Sequence, residues 1–234
     1  MRRGQVAQMN PRGESEPTSA RTRVRRHPER GVYDRAAIDA ILDEALFCQL
    51  GFAVAGQPYV IPTIHARVDD LLYLHGSPAS RMLRSLGSGL DVCATATIVD
   101  GLVLARSVYK HSLNYRSAIV LGRARRVDDP DEKRAALAAI VEHVVAGRGA
   151  DARAPSEQEL GGTAVLALPI AEASAKVRTG PPEDFDADLA LPIWAGVVPL
   201  RLVAGEPEAD ADVREGIPVP SYLADYRRPR SRHG

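Results

Sequence analysis

The stretch His75-Gly76-Ser77-Pro78-Ala79-Ser80-Arg81 has the residue types of an anion site. Ser77 suits a helix N-cap and Pro78 the first helical position, while Gly76 lets the backbone come close to a ligand. The opening turn of a helix presents unpaired N–H groups and a partial positive charge. Ser77 and Ser80 add hydroxyl donors. Arg81 and Arg84 share the polar face, where a guanidinium can grip a phosphate through two parallel bonds. An ordinary capped helix with two solvated arginines has the same spacing.

Two further clusters carry polar donors. Tyr109-Lys110-His111-Ser112-Leu113-Asn114-Tyr115-Arg116-Ser117 lies between apolar strands and reads as a loop or as the outward face of an edge strand. Ser112 has no Gly-x-Ser-x-Gly elbow around it, so a serine hydrolase is not expected. In Glu172–Pro182, Lys176 and Arg178 flank Val177 and so share one side of an extended segment, facing solvent or an anionic ligand. Trp194, the single Trp, follows Pro192 and precedes Ala195-Gly196, where small side chains leave room for a flat ring. The six His show no zinc-like spacing and no catalytic carboxylate pair stands out, so no metal site is expected.

The elements that must position these groups are marked by punctuation. Asp34 caps a helix with Ile38, Ile41, Leu42 and Ala45 on one face. Leu46–Ala55, Tyr59–Val68 and Leu71–His75, turning at Gly56-Gln57 and Asp69-Asp70, predict an antiparallel meander. A short helix from Ser77 follows, with Ala79, Met82, Leu83 and Leu86 inward and Gly87 or Gly89 at its end. Asp91–Val99 and Leu102–Tyr109 predict a hairpin through Asp100-Gly101, and Asn114–Val127 a further strand. Asp129, Pro130 and Glu132 predict a capping box for a helix with Leu137, Ile140, Val141 and Val144 inward, ended by Gly147. A polar loop over 148–158, strands at Thr163–Ile170 and Ile193–Val203, and a polar stretch Glu172–Asp188 between them complete the ordered part. Some seven short strands in succession predict a mainly β, α+β chain: an antiparallel barrel with helices at its ends.

Composition narrows the function classes. Lys+Arg and Asp+Glu are both 30, which points to neither a nucleic-acid nor a membrane partner. The core must be aliphatic, because apolar residues reach 45% but aromatics only 5%. Residues 1–30 hold eight Arg against three Glu and few large apolar side chains, and are expected to form a disordered, solvated basic arm. The barrel is expected over 31–204 and a loosely ordered tail over 205–234. Cys48 and Cys93 read as free thiols of a reducing compartment. With no apolar span and no secretory signal, a soluble cytoplasmic protein is expected.

The run Leu71–Arg81, the segment Val92–Leu104 with Asp100-Gly101, and Asn114-Tyr115-Arg116-Ser117 resemble the pyridoxamine 5'-phosphate oxidase-related flavin-nucleotide-binding proteins. Glu172–Pro182 and Leu191–Leu200 extend the resemblance to about residues 30–202. It implies an FMN-binding split β-barrel with a Greek-key-like antiparallel sheet, and a homodimer with FMN at the interface. Ser80 and Arg81 match the step that holds the FMN phosphate, beside Ser77. His75 ends the strand lining the flavin, and Thr63 lies on the strand whose backbone faces the ring. Ser117 falls where true oxidases place a polar flavin contact, with Arg116 and Lys176 as further cofactor-binding candidates, and Trp194 resembles the Trp that reaches the flavin of the other subunit. True oxidases carry Lys where Met82 stands and end in an Arg-x-His segment absent here, so pyridoxamine phosphate oxidation is not expected. The resemblance implies an oxidoreductase of a small organic molecule. A flavin-binding sensor, and relatives that use the deazaflavin F420 or handle haem, are the alternatives.

Overall fold

The computed structural model describes residues 15–80, 83, 89–224 and 226–228. The larger antiparallel sheet has the order β1 (Gly31–Val32), β10 (Glu172–Arg178), β7 (Ser112–Arg123), β6 (Asp91–Leu104), β2 (Cys48–Val54), β3 (Gln57–Thr63), with β11 (Gly196–Pro199) also on β6. The smaller has the order β4 (His65–Val68), β5 (Leu71–Gly76), β9 (Ala164–Pro169), β8 (Arg125–Arg126). Together they form the mainly β split barrel expected. Helix α1 (Arg35–Glu44) starts where predicted, because the Asp34 carboxylate accepts the Ala37 N–H at 2.9 Å. It buries Ile38, Ile41 and Leu42 against Leu50, Leu72, Leu74 and Val120 of the main core. Helix α2 (Pro130–Val144) packs Ala136 and Ile140 on Tyr73 and Val165 of the smaller sheet.

Several predicted elements are corrected. The first turn falls at Ala55-Gly56, both with positive φ, which matches the twist of a two-residue hairpin. The predicted strand Tyr59–Val68 breaks at Ile64, and the meander divides between two sheets. His65 turns its ring to the Leu42 carbonyl, at 2.8 Å, while Ala66 packs under α2, so two successive side chains are buried on opposite sides. Asp100-Gly101 is not a hairpin but a bulge within β6. Glycine is needed there because a Cβ would stand 3.0 Å from Val197 Cγ1 and 3.1 Å from Val198 O of β11. Glu172–Arg178 is a strand with Ala173 and Ala175 inward. The predicted last strand shortens to β11. The loop over 148–158 contains α3 (Arg148–Asp151) and the start of α4 (Glu157–Gly161), whose capping box is Ser156/Glu159. Glu132 makes no capping box. It accepts from Tyr73 Oη at 2.8 Å and from Arg125.

Residues 15–30 are not free. Arg21 and Ser19 donate to Glu172, Val24 N–H donates to Tyr33 Oη at 2.9 Å, and Thr22 is buried. Residues 1–14 lie outside the described residues. Near the other end a short helix α5 (Ser221–Ala224) leads to Tyr226 and Arg228, which bond to the ends of α1 and α2. Cys48 and Cys93 are free thiols, and burial pushes Cys48 up to about 12. No described helix is long and apolar enough to cross a membrane.

His65 gives the fold an acid sensitivity. Burial lowers its pKa from 6.5 to about 4. The unfolded chain therefore takes up a proton that the folded ring refuses, and stability falls as pH drops from about 6.5 to about 4, by roughly 3 kcal/mol in all. Urea midpoints across this range are expected to fall steeply for the wild type. For H65Q they should start lower at pH 7 and fall less.

Candidate flavin site

A shallow cavity of about 350 Å³ opens where β3 gives way to β4, lined by Leu46, Phe47, Pro62, Thr63, Ile64 and Val144. The β4–β5 ladder ends at the pair His65↔Leu74, so Ile64 at the cavity and His75 are each the chain neighbour of a residue in that pair. His75 is half-buried, and burial holds its pKa below the usual value, keeping the ring neutral. Its Nδ1 is buried with no partner among the described residues.

The chain then turns through Ser77–Ser80. Ala79 N–H donates to Ser77 Oγ at 3.3 Å, and Ser80 N–H to Ser77 O at 2.9 Å. Leu83 N–H donates to Ser80 Oγ at 3.2 Å. Each hydroxyl accepts from the backbone and keeps its own proton to donate to an anion. Gly76 lies against buried Leu83, whose Cδ1 would be 3.1 Å from an added Cβ. Arg81 and Arg84, the predicted phosphate clamp, lie outside the described residues.

On the outer face of the larger sheet, Thr97 pairs with Ser117 and Ser117 with Lys176. Continuing the register two pairs past the end of the β2–β6 ladder sets Phe47 opposite Thr97, and one pair past the end of the β2–β3 ladder sets Ile64 opposite Phe47. A lateral strip thus runs from the apolar cavity at Ile64 and Phe47 to hydroxyls at Thr97 and Ser117 and the ammonium of Lys176. Lys176 Nζ donates to Arg26 O at 2.9 Å, which leaves it two more N–H groups.

Arg116 is a correction. It is 8% exposed on the inward side of β7, where it donates to both carboxylate oxygens of Asp100 (2.9 and 2.7 Å) and both of Glu44. Those carboxylates push its pKa up, and they occupy the guanidinium face that a ligand would need. Arg178 is similarly enclosed, donating to Asn114 Oδ1 and to Pro181 O at 3.2 Å. Trp194 does not join the strip within one chain. Gly196 pairs with Leu104, seven residues along β6 from Thr97, or roughly 20 Å at the rise of a strand. Trp194 is 66% exposed, with its indole over Gly196. Sequence reasoning missed Leu46, Phe47, Ile64, Val144 and Thr97. An available signal was Phe47, an aromatic residue at an outward position beside Gln49 and Gly51.

A split antiparallel barrel of this sheet order is the fold of the flavin-binding split-barrel proteins. Residues 34–177 match the family described as pyridoxamine 5'-phosphate oxidase, and the chain belongs to that family. The flavocytochrome Anf3 from Azotobacter vinelandii is similar at 39% identity and a TM-score of 0.86, over 92% of this chain and 100% of that one. The FAD and heme binding protein from Mycobacterium smegmatis is similar at 36% identity and a TM-score of 0.80, over 83% of this chain and 96% of that one. No protein of curated description matches the chain.

Proposed function

We propose that this chain is a flavin-dependent oxidoreductase of a small organic molecule, with its flavin ring along the strip from the Leu46–Val144 cavity to Ser117 and Lys176. The observation that supports this reading is the polarity gradient of that strip. An isoalloxazine ring is amphiphilic in the same sense, with a dimethylbenzene end and a pyrimidine end rich in hydrogen-bonding groups. Bound flavin supplies reversible one- and two-electron chemistry. The chain's own part is binding and tuning: the cavity excludes water from the apolar end, and the Lys176 ammonium favours negative charge at the other. The Ser77 and Ser80 hydroxyls, with Arg81, would hold the phosphate. Trp194 and the exposed Leu191, Ile193 and Leu202 suit a second copy of the chain, so that a homodimer would bring Trp194 to the partner's flavin. A cytoplasmic compartment accords with the two free thiols.

A second cofactor is favoured by one residue and by the relatives. Both relatives carry haem in their names, the flavocytochrome implicitly, and one names FAD. His75 fits iron, being neutral, half-buried and without a partner at Nδ1 among the described residues. We take the flavin to be FAD in place of the FMN expected from the resemblance, with haem held by His75. Mass spectrometry of cofactors released from the reconstituted protein tests this. FAD is expected, with a haem absorption band that H75A loses while keeping its flavin. Flavin without haem removes the second cofactor alone; a deazaflavin, or no flavin binding at all, removes the main reading.

A further inference from the structure

The C-terminal ends of α1 and α2 meet beside the cavity, because Leu46 and Phe47 follow α1 and Val144 closes α2. A helix leaves its last carbonyls without partners inside the helix. Here the chain's tail supplies them. Tyr226 Oη donates to Val144 O at 2.6 Å. Arg228 Nε donates to Glu44 O at 3.2 Å, its Nη2 to Asp43 O at 3.0 Å and Ala45 O at 3.3 Å, and its Nη1 to His143 O. One cation therefore joins two helix ends, each the negative pole of its dipole. Nearby, His143 Nε2 donates to Ala45 O at 2.9 Å, adding a direct bond between the same two ends. Tyr222 supports the arrangement, with its ring 3.4 Å from where a Gly147 Cβ would stand. None of these residues lines the cavity, yet the carbonyls they hold belong to Val144 itself or to the residues just before Leu46 and Val144.

We propose that Tyr226 and Arg228 are positioning residues of the cofactor site: by clamping the ends of α1 and α2 they set the spacing of Leu46, Phe47 and Val144 that receives the flavin ring. This rests on the flavin reading above. The tail is then a working part of the site although it touches no cofactor. Lysine cannot replace Arg228 fully, because a single ammonium lacks the planar fork that reaches carbonyls of both helices at once.

The test uses the full chain. R228A is expected to bind flavin about tenfold more weakly by fluorescence titration, with the far-UV spectrum of the apoprotein unchanged. Methylguanidinium is expected to restore the affinity of R228A, which a general loss of stability would not allow, and R228K to recover it in part. Wild-type flavin affinity in R228A overturns the proposal, as does a weakened affinity that methylguanidinium leaves unchanged. A wild-type protein that binds no flavin overturns the flavin reading and the clamp together.

Discussion

R116M is expected to melt roughly 10 °C below the wild type and yet to bind flavin with unchanged affinity while folded. The guanidinium joins three parts of the fold: Glu44 at the end of α1, Asp100 at the bulge of β6, and β7, on which Arg116 sits. Glu44 and Arg116 are both nearly enclosed, at 10% side-chain exposure each. Methionine fills much of the same volume but takes from the buried Glu44 carboxylate the two bonds that Arg116 donates to it. Removing one partner of a buried pair costs about 3–5 kcal/mol, far more than the pair contributes over an apolar replacement. The triple variant R116M/E44Q/D100N, which removes the charges too, should regain much of the loss. Thermal melts of both variants, with flavin titrations below the transition, check this. A tenfold loss of flavin affinity in R116M at full stability would return Arg116 to the ligand role that the sequence suggested.

I64D is expected to abolish tight flavin binding with little change in the apoprotein. Ile64 is 38% exposed at the cavity, so a carboxylate there stays hydrated until a ring covers it. Covering it strips that hydration and puts a negative charge beside the apolar end of the flavin. A cost of about 3 kcal/mol, modest for an unpaired charge, weakens binding about a hundredfold. V68D is the control, being as exposed (39%) and at the far end of β4, away from the cavity. It should leave flavin affinity within about twofold, since surface substitutions away from such features change little. Equal losses in the two variants would place the ring elsewhere.

These two residues also mark where the sequence is readable. Helix starts are local, and Asp34 and Asp129 cap helices one residue after themselves as predicted. Strand limits depend on distant partners. The inward alternation of Ala173 and Ala175 has meaning only once β1 and β7 flank that segment, so β10 reads as a polar stretch. Asp100-Gly101 has turn chemistry, but the glycine serves the close approach of β11, which lies almost a hundred residues on. In the proposed site, His75, Ser77 and Ser80 follow one another closely, so local punctuation was enough to single them out. Arg116 was misassigned because both faces of β7 carry polar groups, Asn114 and Arg116 inward, Tyr115 and Ser117 outward. The cavity was invisible, since Leu46, Thr63 and Val144 come from three separate parts of the chain.

Difference density for flavin in crystals of the reconstituted protein would locate the ring and its phosphate. The ring is expected between Phe47 and Ser117 on the outer face, with its phosphate within hydrogen-bonding distance of the Ser77 and Ser80 hydroxyls. Flavin density on the opposite face of the sheet, or a phosphate away from that turn, would contradict it.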